Sequence, residues 1–228
     1  AESIVGRTNV EVTEPFWLLD NFDADSRGRF NGGTTAATYD GTNDVLTFAT
    51  HATCPFPQKL GTDWEQEYLV KFNTIGTDDY CRFTVPVFLQ SPTYSAVYPT
   101  HDTLIGISIY AATKDDTGTT GSFLRIYKSG VIQKTVTNLY EFGKYYKFKV
   151  TYDGSTFNIY SVESDADWSG TYSATPTLTY VDSTYTSGYC GVGGYALSGG
   201  KSWIKGIKIN GTRVYNKPIH RGAMLETY

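Results

Sequence analysis

Three acidic residues spaced two apart give the chain its strongest chemical signal. Asp63, Glu65 and Glu67 fall at i, i+2 and i+4, so a continuous strand would carry all three on one face, about 6–7 Å between neighbours. Two carboxyls at such spacing can flank a glycosidic bond as acid and nucleophile. A second acidic group, Asp20, Asp23 and Asp25, precedes a Gly-rich segment and could offer oxygens to Ca²⁺. It is not an EF-hand: counted from Asp23, position 5 is Arg27 and position 12 is Thr34, not Glu. Pairing of Asp23 and Asp25 with Arg27 and Arg29 explains the same residues without a metal.

The third signal is aromatic. Tyr94 and Tyr98 stand among small polar residues in 91–102, and Trp168 lies between Asp167 and Ser169 in the polar stretch 164–188, with Asp165 close by. Sugar rings present apolar C–H faces that stack on Tyr or Trp, and their hydroxyls need Asp, Asn or backbone partners. Trp168, Asp165, Asp167, Tyr94 and Tyr98 are therefore the candidate ligand contacts. Trp17, Trp64 and Trp203 sit at strand starts and are expected to pack in or near the core. Other chemistries find no support. His51, His101 and His220 are scattered, and the His51–Cys54 spacing is short for zinc. No Gly-x-Ser-x-Gly elbow, phosphate loop or dinucleotide fingerprint is present, and the glycines of 191–200 have no following helix to meet phosphate.

The elements that must position these residues are strands. Thr and Tyr suit a pleated surface, Gly supplies turn dihedrals, and 23 Gly with 19 Tyr in 228 residues favour strands joined by tight turns. Expected strands cover 45–50, 65–73, 80–90, 103–110, 122–128, 131–136, 145–152, 156–162, 189–197 and 203–209. Pro86 argues for an edge or a bulge in its strand. In 145–162, Phe148, Val150, Phe157 and Ile159 should be buried and Lys147 and Lys149 solvated, with Asp153-Gly154 forming a type I′ turn. Asn210-Gly211 reads as a turn after 203–209, followed by a short 212–215 strand. Strands continue beyond every Gly/Ser/Thr-rich stretch, so the expectation is one domain over 1–228, its core at about 17–215 with short terminal extensions.

Composition bounds the function. A net charge of −4 with no basic stripe excludes a nucleic-acid binder, and no run of about 18 apolar residues exists to insert in a membrane. Aromatics along the whole chain exclude disorder. Only 18% of residues are charged, and the surface is rich in Thr, Ser, Asn and Tyr, which leans to an extracellular, cell-surface or virion-surface setting. The start at Ala1 and a lone methionine, Met224, suggest a processed piece of a longer product. Cys54, Cys81 and Cys190 are too few for a disulfide scaffold, and their odd number leaves one unpaired unless it pairs with another chain.

The order of elements resembles the concanavalin A-like and laminin G-like jelly rolls. WLLDNFD (17–23) and YDGTNDVLTFAT (39–50) are similar to their opening, EYLVKFN (67–73) to the next core strand, YYKFKVTYDGSTFNIYS (145–161) to their central hairpin, and CGVGGYALSGGKSWIKGIKI (190–209) to the closing pair. The resemblance implies an all-β, two-sheet antiparallel jelly-roll sandwich. Many such modules hold a structural Ca²⁺ between the first strand and a carboxylate of the last, whereas WIKGIKI carries Lys205 and Lys208 and no Asp. The 63–67 strand is similar to that of laminarinase-type glycoside hydrolases, but Asp63 stands where their nucleophilic Glu is expected, and Gln66 takes a slot usually apolar. The expectation is a non-catalytic glycan-recognition or adhesion module, partnered by a glycan or surface polysaccharide and by other parts of a larger surface or virion protein, with no cofactor required. Alternatives are a structural decorating domain without ligand, and a β-glucan hydrolase working through Asp63, Glu65 and Glu67.

Overall fold

The computed structural model describes residues 8–48, 52–74, 82–93, 105–113, 121–194 and 200–219. Among these residues fourteen strands join in one hydrogen-bonded antiparallel sheet that folds over on itself. In chain order they are β1 (Thr8–Asp20), β2 (Ala37–Asp40), β3 (Val45–Phe48), β4 (Ala52–Leu60), β5 (Trp64–Thr74), β6 (Arg82–Leu89) and β7 (Gly106–Ala112). There follow β8 (Phe123–Lys128), β9 (Val131–Thr137), β10 (Tyr145–Tyr152), β11 (Thr156–Ser164), β12 (Leu178–Val181), β13 (Gly188–Gly194) and β14 (Gly200–Ile219). One half runs β12-β11-β10-β5-β14, the other β4-β13-β6-β7-β8-β9, with β1, β2 and β3 attached through β14. A single turn of helix, Gly33–Ala36, is the longest helical piece described. Among the described residues no helix is long and apolar enough to cross a membrane.

The halves close on an aromatic core. Phe83 of β6 meets Phe148 at 5.1 Å and Tyr68 at 5.5 Å between ring centroids, and Phe88 meets Trp64 at 5.6 Å and Phe157 at 5.9 Å. Such pairs add about 0.5–1.5 kcal/mol each beyond the area they bury. Gln66, fully buried in the same layer, donates to Val87 O across the halves and accepts from the Tyr68 hydroxyl, which also reaches Gly191 O. Its amide is therefore satisfied in the core. At the far edges β9 and β12 approach through side chains: Lys134 Nζ donates to Thr179 O at 2.8 Å, and Tyr180 Oη donates to Gln133 Oε1 at 3.3 Å. The sheet nearly closes into a barrel.

The 145–162 alternation holds where it faces inward. Phe148, Val150, Phe157 and Ile159 are all buried, and β10 pairs β11 from Tyr145↔Ser164 to Tyr152↔Phe157. The connection is not a type I′ turn, which needs positive φ at both central residues. Only Gly154 (φ 91°) is left-handed, and Asp153 Oδ1 closes a longer connection, 153–156, by accepting from the backbone N–H of Ser155 and Thr156. Nor is the opposite face solvated, since Lys147 is buried. Pro86 sits at a register shift between β6 and β7, the bulge its missing N–H requires.

Asn210-Gly211 is not a turn either. β14 runs straight through it, pairing Gly200–Asn210 with β5 and Ile207–Ile219 with β1, from Asp20↔Ile207 to Thr8↔Ile219. A Cβ at Gly211 would lie 2.6 Å from Trp64 Cβ, so close approach explains the glycine. Cys54 and Cys190 are buried free thiols, and burial pushes both up to about 12. Cys81 and the three histidines lie outside the described residues.

Candidate functional site

β5 turns Gln66, Tyr68 and Val70 into the core, so period two places Glu65, Glu67, Leu69 and Lys71 on the opposite face. Registers with β10, β11, β14 and β1 then fix three rows of side chains on that face. One row reads Asn158, Thr151, Glu65, Asn210, Trp17. The next reads Tyr160, Lys149, Glu67, Lys208, Leu19. The third reads Val162, Lys147, Leu69 and Gly206.

Trp17 is the exposed ring of this face. Its residue is 68% exposed, against 3% for Trp64, so of the three tryptophans assigned to the core only Trp64 is buried there. Trp203 is half-buried, with Lys71 Nζ 5.4 Å from its ring. Trp17, Glu65, Glu67, Lys208, Ile209 and Asn210 line a hollow of about 160 Å³. A wider one, about 400 Å³, adjoins it through Glu65 and Asn210 and is bordered by Asp63, Thr151, Gly211 and Thr212.

The three acids do not act as one strand face. Asp63 has φ 60° and lies in the turn before β5, outside the strand. Glu65 and Glu67 do share a face. Burial raises the Glu65 carboxyl above its usual range; Lys149, 3.7 Å away, opposes this, and the charge and hydrogen bond of Glu67 reinforce it.

A strap, residues 165–177, lies over the second and third rows. Lys147 Nζ donates to Gly170 O at 2.6 Å, Tyr172 Oη donates to Glu67 Oε2 at 3.4 Å, and the Tyr172 ring stands 4.8 and 4.9 Å from the Lys147 and Lys149 ammoniums. This cover desolvates Lys147 and lowers its pKa. Trp168 (φ 65°) is half-buried rather than a free platform: its ring is so close to Gly206 that a Cβ there would lie 2.6 Å from Cζ2, and Lys208 Nζ sits 3.9 Å from its centroid. Asp165 shapes the strap itself. Its carboxylate accepts from the N–H of Asp167 and Ser169 and interacts with the Ser169 hydroxyl, which together lower its pKa. Asp167 is exposed on the same loop. Tyr94 and Tyr98 lie outside the described residues.

The other acidic group lies at the end of β1. Asp20 is buried, accepting from Phe22 N–H at 2.9 Å and from Arg29 at 3.0 Å. Asp25 is held by Arg27 at 2.7 Å, whose hydrogen bonds draw its pKa down to about 2, and Asp23 is exposed. A cation would have to displace both guanidiniums. Among the described residues no three His, Cys, Asp or Glu side chains gather as metal ligands.

This architecture is the concanavalin A-like jelly roll. The peanut lectin, solved with a 9mer peptide, superposes with a TM-score of 0.58 at 9% identity, over 90% of this chain and 99% of that one. The Ca²⁺-bound VIP36 exoplasmic/lumenal domain gives 0.56 at 11% identity, over 90% of each chain. A glycoside hydrolase family protein from Mycobacterium thermorestibile gives 0.50 at 14% identity, over 84% of this chain and 99% of that one. No family model and no curated protein matches the chain.

Proposed function

We propose that this chain is a non-catalytic glycan-recognition module, carried on a larger extracellular, cell-surface or virion-surface protein. The observation that carries the reading is the exposed indole of Trp17 beside a hollow lined by Glu65, Glu67, Asn210 and, further out, Thr151 and Thr212. A pyranose stacks its C–H face on the indole, and its hydroxyls donate to the carboxylates and exchange hydrogen bonds with the amide and threonines. The lectins among the similar structures support the reading, and the departure of Asp63 from the strand that carries Glu65 and Glu67 argues against hydrolysis. Trp168 flanks the site through Lys208, and Asp165 and Asp167 stand on the strap that carries it. Ca²⁺ is not required at the contact, and Asp20 and Asp25 are engaged by Arg29 and Arg27.

A glycan array on the isolated chain, run with and without Ca²⁺, tests this. Trp17→Ala should weaken a hit by about 10-fold or more, as the loss of a central tryptophan anchor does. Because the ring is exposed, stability should change by no more than about 0.5 kcal/mol. A hit that ignores Trp17→Ala places the contact elsewhere, and an array with no hit favours the structural, ligand-free role.

A further inference from the structure

We infer that the hollow receives the terminal sugars of a glycan chain and not an internal segment. The inference rests on the glycan reading above and adds which part of a glycan can enter. The inner 160 Å³ compartment has Glu65 and Glu67 along its floor. On the β1 side Trp17 rises beside it. Along the strands, toward Leu69 and Gly206, the strap shuts it: Trp168 lies against Gly206 and Lys208, and Tyr172 reaches down to Glu67. On the β10–β11 side Lys149 stands between the rings of Tyr160 and Tyr172, 4.9 Å from each. On the remaining side along the strands it adjoins the 400 Å³ hollow, whose rim is formed by Asp63, Thr151, Gly211 and Thr212.

A chain running through would have to pass under the strap. That path is filled by packed side chains and by the Lys147–Gly170 hydrogen bond. A chain end meets no such obstacle. Its last ring occupies the inner compartment against Trp17, the next lies in the outer hollow among the hydroxyl and amide groups, and further units extend into solvent. The two hollows are unequal in the order this requires, a tight inner one and a loose outer one. The strap thereby acts as a specificity element, with Trp168 and Tyr172 setting the length of chain that is read.

Ladders of α-manno-, β-gluco- and β-galacto-oligosaccharides of one to six units, free at the non-reducing end, test this by calorimetry. In the series that binds, affinity should rise to two or three units and then change by less than about 2-fold per unit. Capture of the parent polysaccharide should follow the number of chain ends, so that partial acid cleavage at constant mass increases binding. Trp168→Ala should lengthen the plateau by at least one unit, an effect that a merely structural role would not produce. Affinity climbing steadily to six units, or capture following polymer mass, overturns the inference while leaving Trp17-dependent glycan binding intact. Absence of binding in all ladders and on the array overturns both. If Trp168→Ala does not fold, the wild-type ladder and the cleaved polymer decide alone.

Discussion

Gly206→Ala isolates the contact that holds the strap down. An added Cβ would lie 2.6 Å from Trp168 Cζ2 and 3.1 Å from Asp20 O. Carbon atoms pack best at about 3.5–4.0 Å, so the indole must retreat by roughly 1 Å. Forcing a methyl into a packed site costs about 1–3 kcal/mol, and moving the ring from under Lys208 forfeits about 0.5–1 kcal/mol of cation–π attraction. The backbone of β14 is fixed by pairing with β5 on one side and β1 on the other, so the ring gives way first. A destabilisation of about 1–3 kcal/mol is expected in urea melts, with Trp168 more exposed to fluorescence quenchers. The decisive comparison is a double-mutant cycle. In a Trp168→Ala background the clash is gone, and Gly206→Ala should cost about 1 kcal/mol less or better. An equal cost in both backgrounds refutes the reasoning, because the strain would then lie at Asp20 O and not under the strap.

Three further outcomes follow from the same geometry. Glu65 has a raised pKa in the folded chain, so its contribution to stability is fully present below the unfolded carboxylate range and is lost as pH rises through the folded value. Glu65→Gln should therefore gain melting temperature relative to wild type between pH 4 and pH 7, and a constant difference would contradict the burial of that carboxyl. Phe148→Ala, removing a fully buried ring that touches Phe72, Phe83 and Tyr140, should cost about 3–5 kcal/mol in denaturant titration, and a cost below about 1 would place the core elsewhere. Reducing-end assays on laminarin, agar and carrageenan should stay at background, and turnover abolished by Glu67→Gln would reinstate catalysis.

Where a strand alternates cleanly the fold is legible in the chain. Phe148, Val150, Phe157 and Ile159 report β10 and β11 because each alternates along the chain with a polar neighbour. β4 is not legible, since Pro55 and Pro57 interrupt its pattern, yet it lies between β13 and β14. β12 hides as four residues within a polar stretch, and only its contact with β11 makes it a strand. The site was missed for a different reason. Residues 16–19 read Phe-Trp-Leu-Leu, and four apolar residues in a row suggest a core segment. In a strand, parity must turn two of the four outward, and the preceding Glu11, Thr13 and Pro15 mark which. That signal singles out Trp17. Nothing comparable shows that the strap covers Lys147, because this depends on a loop whose path is set by Asp165 capping its own turn.

The pairing of β1 with β14 bears on how the protein answers force. Thr8 lies opposite Ile219, so the two ends of the described chain leave side by side. A load applied between them pulls across the ladder, not along it, and meets the hydrogen-bonded pairs one after another from Thr8 inward. Such unzipping yields at low tension, whereas shearing would require many bonds to fail together. Tethered at both ends in a pulling experiment, the chain should release β1 in small steps as far as Asp20, where the Arg29 ion pair and the buried Phe22 make the first firm stop.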